Sequence, residues 1–243
     1  MRGVALLARA AFFGVFRFKI DAQGREHIPA TGGYLLVGAI HRGWMDPFLV
    51  LHALPLQPRA WFLGSAASAF DRPWKEWLIR RLGGMLPVWR GGVGIEQHVA
   101  SARAVVAARG VFVLFPEGGV AGPPGALSSF RVGAALIALR TGAPVVPFAM
   151  AGTEELYRGR RMASRVLPAT SAAELLALGS DAPLPAEGSR EELELARRLT
   201  GRFADLLGPP VAELTAQMAE PPGRRKRWRG LTWLFLQRPK KSA

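Results

Sequence analysis

His41 and Asp46, in the stretch Ala39-Ile40-His41-Arg42-Gly43-Trp44-Met45-Asp46-Pro47, set an imidazole and a carboxylate a short, fixed distance apart beside an apolar run. Tyr34 to Ile40 reads as a buried strand bounded upstream by Gly32-Gly33, which puts His41 where that strand runs out. Asp46 follows about one helical turn later, a rise of roughly 5.4 Å, so its carboxylate can reach back to one ring nitrogen. The other nitrogen is then left to take a proton, which is the arrangement of a general base with its orienter. A plainer reading fits the same residues: His41 caps a helix that starts at Asp46-Pro47.

A second carboxylate stands at a comparable place. Val111-Phe112-Val113-Leu114-Phe115 is a continuous apolar run, the pattern of a strand covered on both faces, and it ends in Pro116-Glu117-Gly118-Gly119. Glu117 is thereby held at the carboxyl edge of a sheet, where open α/β sheets bind ligands. Arg90 follows the strand-like Met85-Leu86-Pro87-Val88-Trp89 and precedes Gly91-Gly92, which leaves its guanidinium fork at a sheet edge, suited to a phosphate. A metal site built from His41, Asp46 and Glu117 would draw on distant segments with no ligand spacing to support it.

The elements that must position these groups alternate. Trp61-Phe62-Leu63 is a further apolar strand, and Val145 to Ala149, introduced by Ala143-Pro144, is another. Helical patterns run from Pro47 to Leu54, from Pro73 onward, from Gly94 to Arg109 and from Arg131 to Arg140. Strands and helices in alternation predict an α/β fold with a mostly parallel central sheet flanked by helices. Ser189-x-x-Glu192 reads as a capping box for a last helix, from Arg190 to Leu207, stopped by Gly208-Pro209-Pro210. Phe16 to Ile20 alternates like a strand, and from Tyr157 to Pro185 the pattern is poor. Arg158, Arg160, Arg161 and Arg165 bunch there, either as a solvated face or as a lipid-headgroup contact.

The chain has 243 residues and no cysteine, so disulfides, thiolate nucleophiles and cysteine metal sites are excluded. Its length fits one domain with appendages. The net charge of +14 calls for an acidic partner. Between Pro221 and Ala243 stand eight basic residues and no acidic one, with Trp228, Trp233 and Phe235 among them. Basic clusters beside tryptophans suit an anionic membrane surface; a disordered solubilising tail is the alternative. Nucleic acid is disfavoured, because no helix-turn-helix, RNP-type or zinc pattern is present, and no P-loop appears either.

At the other end, Arg2 to Phe18 is apolar but interrupted by Arg9 and short of the ~20 residues a bilayer span needs. It reads as an interfacial amphipathic helix with Arg2, Arg9 and Arg17 on one side, or as a helix packed on the domain's own core; a signal peptide lacks a clear cleavage site. These features divide the chain into a membrane-interface helix (1–18), a catalytic domain (19–210) and a basic membrane-associating tail (211–243).

His41-x4-Asp46, the Arg90 strand, Phe115-Pro116-Glu117-Gly118 and the Val145-Val146-Pro147 strand occur in the order of the four motifs of the glycerolipid acyltransferases. From Gly24 to Gly152 the chain resembles the 1-acyl-glycerol-3-phosphate acyltransferase (lysophosphatidic acid acyltransferase) family. That resemblance implies transfer of a fatty acyl group from acyl-CoA or acyl-ACP to the hydroxyl of a lysophospholipid, with no resident cofactor and no metal. It makes His41 the base and Asp46 its orienter, with Glu117, Gly118, Arg90 and Arg131 on the substrate side. A peripheral or monotopic place on the cytoplasmic membrane face goes with it.

Two positions depart from the family pattern. Ile40 stands where Asn usually precedes the histidine, and Gly119-Val120 stands where Thr-Arg-Ser usually follows Glu-Gly. The absent arginine leaves Arg90 and Arg131 as cations for an acceptor's phosphate; Phe130-Arg131-Val132-Gly133 occupies the place of the family's Phe-Lys-x-Gly. A different lysolipid or glycolipid acceptor, or a lipid-binding protein without turnover, is the alternative these departures raise.

Overall fold

Strands with an apolar residue at almost every position are stable only when both of their faces are covered. The computed structural model, which describes residues 14–43, 45–65, 84–88, 94–119, 127–179, 183–219 and 228, covers them in that way. The strands are β1 (Lys19–Gln23), β2 (Tyr34–Ala39), β3 (Ala60–Ser65), β4 (Gly84–Val88), β5 (Val111–Leu114), β6 (Val145–Ala151) and β7 (Arg161–Val166). They form a seven-stranded sheet in the order β1-β7-β6-β2-β5-β3-β4. Every neighbouring pair is parallel except β6 with β7.

Side chains alternate across the sheet, so each strand feeds two cores. Leu35, Val37 and Ala39 of β2 face one cluster, with α2 (Ile95–Ala107), α3 (Gly133–Thr141) and α5 (Arg190–Gln217) packed over it. Tyr34 and Leu36 face the other, against Met45, Leu49 and Val50 of α1 (Met45–Ala53). The short helix α4 (Ala172–Leu175) carries a reciprocal capping box between Ser171 and Glu174. β2 lies at the centre, with Val37 opposite Leu114 of β5 on one side and Ala39 opposite Ala149 of β6 on the other. The segments after β2, β5 and β6 therefore leave the same edge of the sheet.

Three expectations need correction. The last helix does not stop at Leu207; α5 continues through Gly208, Pro209 and Pro210 to Gln217. A proline inside a helix costs about 3 kcal/mol. Val211 and Leu214 continue the stripe of Leu195, Leu199, Phe203 and Leu207, and all of them are buried in the core. At about 1.5–3 kcal/mol for each buried side chain, that packing offsets the break. Residues 211–217 thus belong to the fold rather than to the tail.

The strand expected over Phe16 to Ile20 begins only at Lys19, because Arg17 takes a left-handed backbone (φ 52°) between a helical turn and the strand. The poorly patterned region after Tyr157 contains β7, whose alternation is broken by Arg161, Ser164 and Arg165. Its arginines are not all a solvated or lipid-facing group. Arg160 is buried, with Nε donating to Gly152 O at 2.9 Å and its guanidinium paired with Glu154. Arg165 reaches Gln23 at 2.9 Å and Glu213 at 2.6 Å. The helix expected from Pro73, Arg90, the segment before residue 14 and nearly all of the basic tail lie outside the described residues. Among the described residues, no helix is long and apolar enough to cross a membrane.

Candidate active site

The loop between β2 and α1 curls so that its donors converge on one carboxylate. Asp46, in the first turn of α1 and fully buried, accepts at Oδ2 from the main-chain N–H of Arg42 and from that of Gly43 at 2.7 Å. His41 Nδ1 lies 2.9 Å from the same oxygen. A carboxylate can only accept, so Nδ1 carries the ring proton and Nε2 is the basic nitrogen. Asp46 also sits where the α1 dipole favours negative charge. The five-residue spacing read from the sequence therefore works through a loop that folds back, not through two positions one turn apart on a helix.

The turn after β5 meets this loop from the side. Glu117, 6% exposed, accepts the His41 main-chain N–H at Oε1, 3.2 Å away. Phe115 stacks on the His41 ring with centroids 4.5 Å apart and planes 12° from parallel. The Phe115 ring also crowds Gly38, where a Cβ would fall 3.0 Å from it. The imidazole is thus fixed by a carboxylate at one edge and an aromatic face beneath.

Arg131 arrives from the segment before α3. Its main-chain N–H donates to Pro116 O at 2.7 Å, and its side chain lies across Gly118, where a Cβ would fall 2.5 Å from Arg131 Cδ. Gly118 has φ +63°, so the turn demands glycine for its backbone as well as for this close approach. The structure brings His41, Asp46, Glu117, Gly118 and Arg131 to one edge. Arg90 lies outside the described residues.

Two further groups at this edge carry no role in the motif reading. Arg42, 7% exposed, lies beneath the loop; burial pulls its guanidinium below its usual range, opposed by the charges of Glu154, Asp46 and Glu117. Glu154, on the segment after β6, is held by Arg160 and by the Gly152 N–H at 3.1 Å. Arg42 sits inside the motif, yet nothing in residue type tells a buried cation from a solvated one. Burial also pushes the Glu117 carboxyl up, more than its main-chain hydrogen bonds and the nearby His41 lower it, and Asp46 adds to the rise.

The arrangement supplies an oriented base, a second buried carboxyl and an exposed cation at one edge of the sheet. A family model described as Acyltransferase matches residues 19–151, more than half of the chain. The chloroplastic 1-acyl-sn-glycerol-3-phosphate acyltransferase BAT2 of Brassica napus is 25% identical over 139 residues, which is 57% of this chain and 39% of that protein. The chain therefore aligns with about two fifths of this relative's length. The crystal structure of the 1-acyl-sn-glycerophosphate acyltransferase PlsC from Thermotoga maritima is similar with a TM-score of 0.60 at 21% identity, covering 86% of this chain and 77% of that one. That likeness is one of fold.

Proposed function

The chain belongs to the acyltransferase family, and we propose that it moves a fatty acyl group from an acyl thioester to the free hydroxyl of a lysophospholipid, 1-acyl-glycerol-3-phosphate first among the acceptors. The observation that carries this reading is the 2.9 Å contact between His41 Nδ1 and Asp46, which leaves Nε2 as the base. His41 Nε2 takes the proton of the acceptor hydroxyl as that oxygen attacks the thioester carbon. The new C–O bond forms, the C–S bond breaks, and the imidazolium returns its proton to the departing thiolate. Asp46 holds the tautomer and steadies the imidazolium. No covalent bond to the enzyme is needed, and the donor is acyl-CoA or acyl-ACP.

Arg131, exposed beside Gly118, is placed to bind the acceptor's phosphate by charge-assisted hydrogen bonds, with Arg90 as its expected companion. The cations of the tail and the apolar N-terminal segment favour attachment to an anionic membrane, on its cytoplasmic face. Trp228 and Val15 are exposed large apolar side chains, and the Arg158 guanidinium lies 5.3 Å from the Trp228 ring, a pairing of cation and aromatic that suits the headgroup level.

The test is thiol release from palmitoyl-CoA in the presence of a panel of lysolipids, with products identified by mass spectrometry. Wild type is expected to release thiol with 1-oleoyl-glycerol-3-phosphate, and His41→Ala is expected not to. Turnover retained in His41→Ala would remove His41 from the chemistry. Binding to anionic vesicles with no thiol release from any thioester would leave the lipid-binding alternative that Ile40 and Val120 raise.

A further inference from the structure

A general base carries a positive charge between taking the acceptor's proton and returning it, and a contact that favours the charged ring over the neutral one speeds that step. Around the His41 imidazole the formal charges are mixed. Asp46 at the Nδ1 edge and Glu117 at the main chain favour a cation, whereas Arg42 of the same loop opposes it. Arg131, across Gly118, and Glu154, which faces Arg42, complete the set. Asp46 moreover divides Oδ2 among three donors, His41 Nδ1, Arg42 N and Gly43 N. That carboxylate does not serve the imidazole alone.

The face of the ring has an uncharged partner. β2 and β5 run parallel with Val37 opposite Leu114, so Phe115 leaves β5 beside Gly38, just short of the loop that carries His41. The Phe115 and His41 rings stack with centroids 4.5 Å apart and planes 12° from parallel. A cation over an aromatic face, within about 6 Å of its centroid, is attracted by the ring quadrupole. A neutral imidazole gains less from that field. Apolar burial is non-directional and asks for no particular ring plane.

Gly38 leaves the space this stack occupies. A Cβ there would fall 3.0 Å from Phe115 Cε1 and 3.3 Å from Cδ1, with the next atom, of Leu36, at 3.8 Å. The His41 side chain keeps 22% exposure, so the stack does not shut the base away from an acceptor.

We propose that Phe115 is a positioning residue that works through the base: its face stabilises the imidazolium formed when His41 Nε2 takes the proton of the acceptor hydroxyl, and Gly38 is the gap that lets it do so. Phe115 exchanges no proton. The effect on turnover rests on the acyl-transfer reading; the effect on the imidazole does not.

The experiment compares wild type with Phe115→Leu, Phe115→Tyr and Gly38→Ala, each checked for folding by thermal melting. Leucine stays apolar but loses the face, so Phe115→Leu is expected to lower kcat about 10-fold and to move the acid limb of kcat/KM down by about half a pH unit. Tyrosine keeps the face and is expected to stay within about 3-fold of wild-type kcat, with the limb in place. Gly38→Ala displaces the ring without touching His41 and is expected to fall between the two; it decides the matter if the leucine variant does not fold. KM for palmitoyl-CoA and for the lysophospholipid should move little.

Independently of turnover, NMR of isotope-labelled histidine, with His41 assigned by its loss in His41→Ala, is expected to show its ring protons shifted upfield by the Phe115 ring current. In Phe115→Leu that shift should vanish and the imidazole should titrate at lower pH than in wild type. A folded Phe115→Leu with wild-type kcat and pH profile overturns the proposal, and so does a folded tyrosine variant as impaired as leucine. A raised KM for palmitoyl-CoA with kcat unchanged overturns it too, making Phe115 a wall of the acyl site, as does an imidazole that titrates alike in both proteins. If wild type releases no thiol with any lysolipid, the acyl-transfer reading fails, and the titration still decides whether Phe115 favours the imidazolium.

Discussion

Glu117 and Glu192 are both buried glutamates, 6% and 3% exposed, and the fold treats them in opposite ways. Glu192, near the start of α5, accepts from Arg140 Nε at 2.6 Å, from Arg140 Nη2 at 2.8 Å and from Gly188 N at 2.7 Å. Those bonds hold its carboxyl below the usual range, the Arg140 hydrogen bonds first. Arg140 is saturated in turn, with Glu96 2.5 Å away, and its own affinity for the proton is raised, by the hydrogen bond to Glu192 first. Glu117 accepts from main-chain N–H groups without an arginine, its Oε2 is buried with no partner among the described residues, and burial pushes it up. Both regions abut α3, Glu192 beside its C-terminal end and Glu117 beside Arg131, just ahead of its N-terminus. The end with full hydrogen bonding ties helices together; the other braces the main chain of the loop that carries His41.

The contrast can be broken by experiment, and the largest effect is expected at the base. His41→Ala is expected to lower kcat for thiol release by about 10³-fold with the melting temperature unchanged; a parallel loss of stability would make His41 structural, like Glu192. Asp46→Asn should cost about 10²-fold in kcat through a wrong tautomer, and circular dichroism should show the fold intact.

Glu192→Ala should do the reverse. Breaking its buried pair is expected to remove about 3 kcal/mol of stability, read by urea unfolding, with activity per folded molecule retained. A smaller effect separates the two ends by substrate dependence. Arg131→Ala is expected to raise KM for a phosphate-bearing lysolipid about 10-fold and to leave an acceptor without phosphate unaffected.

The pH dependence of stability should carry opposite signs. Glu192 has a folded pKa below its unfolded value, so its contribution is full above about pH 4.3 and is lost as pH falls through the folded pKa. The melting difference between wild type and Glu192→Gln should therefore narrow toward acid. Glu117 has a folded pKa above its unfolded value, so its ionisation opposes folding increasingly as pH rises from about 4.3 to the folded pKa. Glu117→Gln is expected to melt at or above wild type at pH 7. Thermal melts of both variants from pH 4 to pH 8 check the two signs together.

Much of the scaffold was legible in residue order because it depends on patterns that are local. β2, β3, β5 and β6 lie where apolar runs between glycines and prolines put them, α2 follows its 3.6-residue stripe, and α3 lies between the ends that Arg131 and Thr141-Gly142 mark. β7 escaped notice because its pairing partners are far away in the chain: Arg165 looks like a surface residue until Gln23 and Glu213 are brought beside it. The prolines of α5 misled for a related reason, since their local penalty is visible in the chain and the core that outweighs it is not. Even Ser189-x-x-Glu192 closed differently from a reciprocal box. Ser189 accepts from Glu192 N at 3.0 Å, but the Glu192 side chain turns to Gly188 N and Arg140.

By itself, the order of residues determined the chemical kinds present at the site: an imidazole five positions before a carboxylate, a glutamate after a buried strand, and an arginine in the Phe-Arg-x-Gly segment. Tertiary structure alone decided what state those kinds are in. Whether a carboxyl is ionised depends on the donors within about 3 Å and on the water excluded around it. Those come to Glu117 from residues 76 positions away. Proton affinity is a property of an environment that only the folded chain assembles.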